Sequence, residues 1–144
     1  MLALMLAALM QSAATPEIVH DGGVCVGLSW VHLASREQVV VEPGPDFDIY
    51  RFHGPDGEDD SWWAVYSGRY ANAKAQGPTL VERDGVVVRR AVKDAQFTGY
   101  LAEKEGLQNH FFGSIFKDQT SDLALFSRVE FGPAGQSLCA KIVR

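Results

Sequence analysis

The hydrophobic pattern divides the chain into an apolar start, a β-like middle and a helix-like end. Residues 1–10 read MLALMLAALM without one polar side chain. Between residues 36 and 116, short runs of β-branched and aromatic residues alternate with turn-forming residues, a pattern typical of strands. After residue 120, apolar residues recur every three positions, which indicates a helix.

The β-like middle predicts five or six mostly antiparallel strands. Asp84-Gly85 lies between two β-prone runs, and this dipeptide favours a two-residue hairpin turn with positive φ at both positions. The Gly-, Pro- and Asp-rich residues 54–60 separate another pair and predict a hairpin with a longer loop. Pro43 to Pro45 should end the strand before them. The five or six strands are expected among seven candidate segments: residues 36–42, 47–52, 61–67, 79–83, 86–92, 97–103 and 109–116.

The segment around Gly99 allows two interpretations. Phe97, Tyr100 and Leu101 have helical spacing, and Asp94 could cap such a helix. We favour a strand, because glycine is poor in helix interiors and the following run is β-like.

The C-terminal part of the chain predicts helix. Ser121 is positioned to cap a helix in which Leu123, Phe126 and Val129 share one face, and residues 137–143 suggest a second helical piece. Strands followed by helix predict an α+β fold, an antiparallel sheet with the C-terminal helix packed on one face.

Residues 1–14 resemble a secretory signal peptide. The apolar run is too short to span a bilayer, and it ends in small residues with Ser12 at −3 and Ala14 at −1 of a cleavage site. The chain departs from the usual pattern because no Lys or Arg precedes residue 36; the alternative is a buried N-terminal helix. We expect export to the periplasm or beyond, with residues 15–144 forming one domain.

The formal net charge of −5 argues against a nucleic-acid partner or a polybasic membrane contact. The mature chain contains no second apolar run of transmembrane length. In an oxidising compartment Cys25 and Cys139 are expected to form a disulfide, the alternative being two buried thiols. They are too far apart in sequence for a CxxC redox site.

Trp62, Trp63 and Tyr66 form the most conspicuous cluster. Adjacent residues of a strand point to opposite faces, so one tryptophan should enter the core while the other faces the opposite side. That second side chain is either covered, and therefore core, or part of an aromatic binding surface.

Arg89 and Arg90 should also face opposite ways on their strand. These arginines could form surface ion pairs with Asp46, Asp48 or Glu82, a purely structural role. The functional alternative is that they bind an anion in a cleft.

Other chemistry has little support in the sequence. His110 is a possible general base among aromatic residues, but no other histidine forms a ligand pair with it. The acidic residues 56–60 do not match a calcium loop, so we expect no metal. A nucleophile elbow and a phosphate-binding loop are also missing, and no cofactor is expected.

Residues 46–52 (DFDIYRF) and 63–68 (WAVYSG) resemble a pattern found in small exported bacterial proteins of unassigned function. The resemblance covers residues 44–131 and implies a PsbP/Mog1-type sandwich. This chain departs from it by its two cysteines and its Trp-Trp pair. The resemblance implies no catalytic residues.

Together these observations predict an exported binding or accessory protein with a protein or small-molecule partner in the cell envelope. The alternatives are a small hydrolase or lyase using His110 as general base, and a structural subunit of an envelope complex. The candidate ligand-binding residues are Trp62, Trp63, Tyr66, Arg89, Arg90 and His110.

Overall fold

The computed structural model describes residues 17–18, 22–27, 29–54 and 62–140, and most of them lie in antiparallel sheet. The expected antiparallel sheet followed by a C-terminal helix is therefore confirmed. The predicted signal peptide, residues 1–14, lies outside the described residues. The strands are β1 (Glu17–Ile18), β2 (Gly23–Val26), β3 (Ser29–His32), β4 (Gln38–Pro43), β5 (Asp48–His53), β6 (Trp63–Gly68), β7 (Lys74–Arg83), β8 (Val86–Lys93), β9 (Gln96–Lys104), β10 (Leu107–Gly113) and β11 (Val129–Phe131).

Two sheets are present in the described part of the chain. The larger one has seven strands plus the two-residue β1, in the order β1-β4-β5-β6-β10-β9-β8-β7, and each neighbouring pair is antiparallel. The smaller one has the order β11-β3-β2. The expectation of five or six strands was too low, because β2 and β3 are four residues each and too short to show an alternating pattern.

The predicted hairpins have the expected pairings. Asp84 and Gly85 take φ values of 52° and 79°, and they join Arg83 to its partner Val86. The segment around Gly99 is strand β9, as favoured. The strand of residues 36–42 ends within Pro43 to Pro45, as predicted, since Pro43 is the last residue of β4.

The first C-terminal helix is a 3₁₀ helix, Thr120–Arg128, rather than an α-helix. A 3₁₀ helix has three residues per turn, so the three-residue spacing of Leu123 and Phe126 suits it, whereas Val129 already belongs to β11. The residue before it is Gln119, and the predicted cap at Ser121 was wrong. Gln119 is the N-cap residue, and Asp122, the third residue of the helix, accepts hydrogen bonds from the backbone N–H groups of Gln119 and Lys117.

The hydrophobic core combines side chains of both sheets with two aromatic residues from the segments that follow β10. Phe52 and Trp63, opposite each other on β5 and β6, stack with ring centroids 3.7 Å apart. The ring of Phe126 packs edge-on against Phe111 and Tyr100. The most completely buried side chains of this core include Val26, Val31, Val39, Phe52, Val65, Val86, Val88, Phe111, Phe126 and Val129.

The last helix, α1 (Gly132–Ala140), lies against the smaller sheet, where it contacts β2, β3 and β11. Gly135 allows this approach, because a Cβ there would lie 2.2 Å from the carbonyl oxygen of Glu130. Cys139 of α1 and Cys25 of β2 form a disulfide with their Cα atoms 5.3 Å apart. None of the helices in the described residues is long and apolar enough to cross a membrane.

Candidate functional site

The two adjacent tryptophans lie on opposite faces of the larger sheet. Trp63 is 3% exposed and belongs to the core, where its Nε1 donates a hydrogen bond to Glu37 Oε2 at 3.2 Å. Trp62 is half-buried on the other face and packs edge-on against Phe112, with centroids 6.0 Å apart. Of the pair, Trp62 is therefore the one that reaches the surface.

The face of the larger sheet opposite the core, called the outer face below, carries a line of directly paired residues. Arg89 is opposite Leu101, Leu101 is opposite His110, and His110 is opposite Tyr66. The outer face thus brings together four of the residues predicted from the sequence: Arg89, His110, Tyr66 and Trp62.

Aromatic rings continue along this outer face in both directions. The imidazole of His110 lies 5.1 Å from the ring of Phe112, which contacts Trp62. Tyr66 stacks on Phe47 with centroids 5.4 Å apart. We call Trp62, Phe112, His110, Tyr66 and Phe47 the aromatic row.

His110 is the most buried polar member of the aromatic row. Its Nε2 lies 2.6 Å from the carbonyl oxygen of Thr98. A carbonyl only accepts, so Nε2 carries the proton and Nδ1 is the unprotonated nitrogen of the neutral ring. Burial lowers the pKa of His110 below its ordinary 6.5, and the bond to Thr98 only partly opposes this shift. The general-base role of His110 stays a prediction, and the partner observed here is a backbone carbonyl rather than an acid.

Arg89 and Arg90 point to opposite faces, as the strand alternation predicts. Arg89 lies on the outer face, with Nη2 4.0 Å from Glu103. Arg90 lies on the core-facing side and pairs with Asp118, 28 residues away in the chain. The expected partners Asp46, Asp48 and Glu82 were wrong, because the neighbouring strand and the segment after β10 supply the carboxylates instead.

Arg90 forms one wall of a cleft between β7 and the start of the 3₁₀ helix. Its Nε donates to Asp118 Oδ1 at 2.8 Å, and its Nη1 donates to Gln76 Oε1 at 2.9 Å. The guanidinium also lies over the ring of Phe97, 5.1 Å from the centroid. The cleft has a volume of about 370 Å³ and is lined by Gln76, Gly77, Pro78, Leu80, Arg90, Tyr100, Asp118, Gln119, Thr120 and Leu123.

A hydrogen-bond network fixes the far wall of this cleft. The hydroxyl of Tyr100 donates to Asp122 Oδ2 at 2.9 Å, and the same carboxylate accepts from the N–H groups of Lys117 and Gln119. Burial, followed by the bond to Asp122, raises the pKa of the Tyr100 phenol, so this group stays protonated and continues to donate.

The charges of the ion pair stabilise each other. The hydrogen bond to Asp118 raises the pKa of Arg90, and the hydrogen bond to Arg90 lowers the pKa of Asp118. Both groups are therefore charged at neutral pH.

Apart from Arg90, no residue of the cleft was recognisable as part of a site from the sequence alone. Asp118, Gln76 and Leu123 come from three separate segments, and only the strand order places them together. Among the described residues, no group of three or more His, Cys, Asp or Glu side chains is placed to hold a metal ion.

Comparison with protein-family models, with curated proteins and with solved structures finds no match to this chain.

Proposed function

We propose that this protein is an exported binding protein that takes a small amphipathic ligand into the Arg90 cleft. One observation carries the proposal: the ion-paired Arg90 is held in a concave site that also presents apolar side chains, among them Pro78, Leu80 and Leu123. Ligand sites in proteins are usually concave, about 300–1,000 Å³ in volume and mostly apolar, with a few polar groups that orient the ligand. The cleft, at about 370 Å³, lies within that range.

The two kinds of wall have distinct roles in this proposal. Leu80 is 38% exposed, which is unusual for a leucine in this structure, and it faces the cleft together with Leu123. Covering such side chains with a ligand removes apolar area from water and stabilises the complex. Arg90 and Gln76 supply the directional contacts that would orient the ligand.

We also propose that the protein is exported and is periplasmic or secreted. Export is supported by the apolar run and small residues of segment 1–14, and by the disulfide between Cys25 and Cys139, a bond that persists in oxidising environments. We also propose that α1 covers the face of the smaller sheet opposite the core, which its contacts with β2, β3 and β11 support.

The test is a small-fragment screen of the isotope-labelled protein, read by NMR chemical shifts. We expect bound fragments to shift the signals of Leu80, Tyr100 and Leu123. Tyr66 and Phe112, which lie on the outer face, provide the internal reference and should stay unchanged. Fragments that shift only outer-face signals, or a screen without hits, would contradict a ligand site in the cleft.

The aromatic row supports a second candidate, a structural or accessory subunit of an envelope complex. Trp62 and Phe112 are half-buried on a sheet face, where a partner protein could complete their burial. Trp62→Ala should then reduce recovery of the protein in the complex. Tyr70→Ala, which removes a 78% exposed aromatic ring outside the row, is the matched control and should have no effect.

A further inference from the structure

We propose that the cleft selects ligands that carry a carboxylate on an apolar body, and that this carboxylate replaces Asp118 on the guanidinium of Arg90. The inference rests on the proposed function and specifies the chemical class of its ligand.

Arg90 has two partners that would hold it in position without Asp118. Gln76 accepts from Nη1 at 2.9 Å, and the ring of Phe97 lies 5.1 Å from the guanidinium carbon. Neither partner carries a negative charge. If Asp118 moves away, the guanidinium therefore keeps its place and presents an unneutralised positive charge to the cleft.

Asp118 is able to leave by rotation of its side chain alone. Its side chain is 40% exposed, and it sits in a turn with φ of 59°. The N–H groups of the residues on either side, Lys117 and Gln119, are both bonded to Asp122. These bonds fix the backbone on both sides of Asp118, so the turn keeps its shape while the carboxylate swings into solvent.

An incoming carboxylate would find the geometry that Asp118 now occupies. Asp118 bonds to Nε and Nη2, the edge of the guanidinium that matches a carboxylate with two parallel hydrogen bonds. Exchange of one carboxylate for another leaves the charge in the cleft unchanged. The advantage of the ligand over Asp118 is then the apolar body, which would pack against Leu80 and Leu123.

The experiment compares three probes with the same phenylbutyl body: 4-phenylbutyrate, the neutral 4-phenylbutanamide and the cationic 4-phenylbutylamine. Binding to the purified protein at neutral pH is followed by NMR shifts of Leu80 and Leu123. We expect the acid to bind about two- to threefold more tightly than the amide, a small preference because its hydrogen bonds to Arg90 replace those that Asp118 already makes. The amine should bind most weakly.

Three variants test the exchange. Asp118→Asn removes the competing charge at nearly constant shape, and should tighten binding of the acid about two- to fivefold without affecting the amide. Arg90→Gln should abolish the preference for the acid. Arg90→Lys retains the positive charge but loses the planar pair of N–H donors that binds a carboxylate, and it should retain only part of the preference. Arg89→Gln removes the neighbouring arginine on the outer face and should leave the preference intact.

The outcomes separate the two proposals. Equal affinity of acid and amide, with shifts at Leu80 and Leu123, would overturn the carboxylate inference and leave the cleft as the ligand site. An acid preference that persists in Arg90→Gln would also overturn it. Shifts confined to the outer face, or no binding by any probe, would contradict both proposals.

Discussion

Glu37 joins Trp63 to Arg128: its carboxylate accepts a hydrogen bond from the indole Nε1 and forms an ion pair with the guanidinium, which lies over the same indole ring. Removing a partner from a largely buried ion pair leaves the other charge unpaired. Glu37→Ala should therefore lower the free energy of unfolding by about 3 kcal/mol, measured by urea unfolding.

A matched exposed pair provides the control for this prediction. Glu42 is 50% exposed and pairs with Arg51 at 2.8 Å on the neighbouring strand. Glu42→Ala should change stability by less than about 1 kcal/mol. Equal losses in the two variants would show that the burial of Glu37, 10% exposed, makes no difference.

His110 should make stability depend on pH. Its pKa is lowered in the folded state, so between the ordinary value of 6.5 and the lower folded value the unfolded chain binds more protons. The free energy of unfolding should therefore fall as pH decreases through 6.5 toward the lower folded pKa of His110. His110→Gln should reduce this slope in urea unfolding series. His53→Gln, at the end of β5, should retain it, and the prediction fails if both variants behave alike.

Gly99 should be intolerant of any side chain. A Cβ at this position would lie 1.9 Å from the carbonyl oxygen of Phe111, and the residue has φ of 96°. Gly77 shares a positive φ of 83° but has no atom within 4 Å of its Cβ position. Gly77→Ala should therefore cost about 1–2 kcal/mol, the conformational part alone, and Gly99→Ala clearly more. Similar thermal unfolding temperatures of the two variants would contradict the close approach.

The disulfide and export are tested together by intact mass of protein from the cell envelope, with and without reductant and alkylation. We expect cleavage after Ala14 and a mass two hydrogens below that of the dithiol. A full-length chain with two alkylatable thiols would contradict export.

In purified protein, Cys25→Ser with Cys139→Ser should lower the free energy of unfolding by about 2–5 kcal/mol.

Local features were predictable from the sequence wherever local geometry decides them. The opposite orientation of Trp62 and Trp63 follows from the two-residue period of a strand, and the turn at Asp84-Gly85 follows from its φ requirement. The smaller sheet was missed because β3 pairs with β11, nearly one hundred residues later. No local pattern encodes such a pairing.

In the candidate site, too, features set by local geometry were predictable and those set by distant contacts were not. Arg90 was recognisable as a cation on the opposite side from Arg89. Its partner Asp118 was not recognisable, because the position of the turn after β10 depends on how Tyr100 and Asp122 anchor that segment. Trp63 was a candidate ligand contact from sequence, and only the structure shows it stacked inside the core on Phe52.

The bond between Cys25 and Cys139 also determines how the molecule responds to mechanical force. A pull applied at the two ends of the chain runs through β2, the sulfur atoms and α1. The strands β4 to β10 lie inside the covalent loop, so this load reaches the larger sheet only through the pairing of β1 with β4. An unfoldase or translocase that pulls the chain through a pore from either end would therefore reach a covalently closed loop. It must then either reduce the disulfide or pass two segments of the chain through the pore side by side.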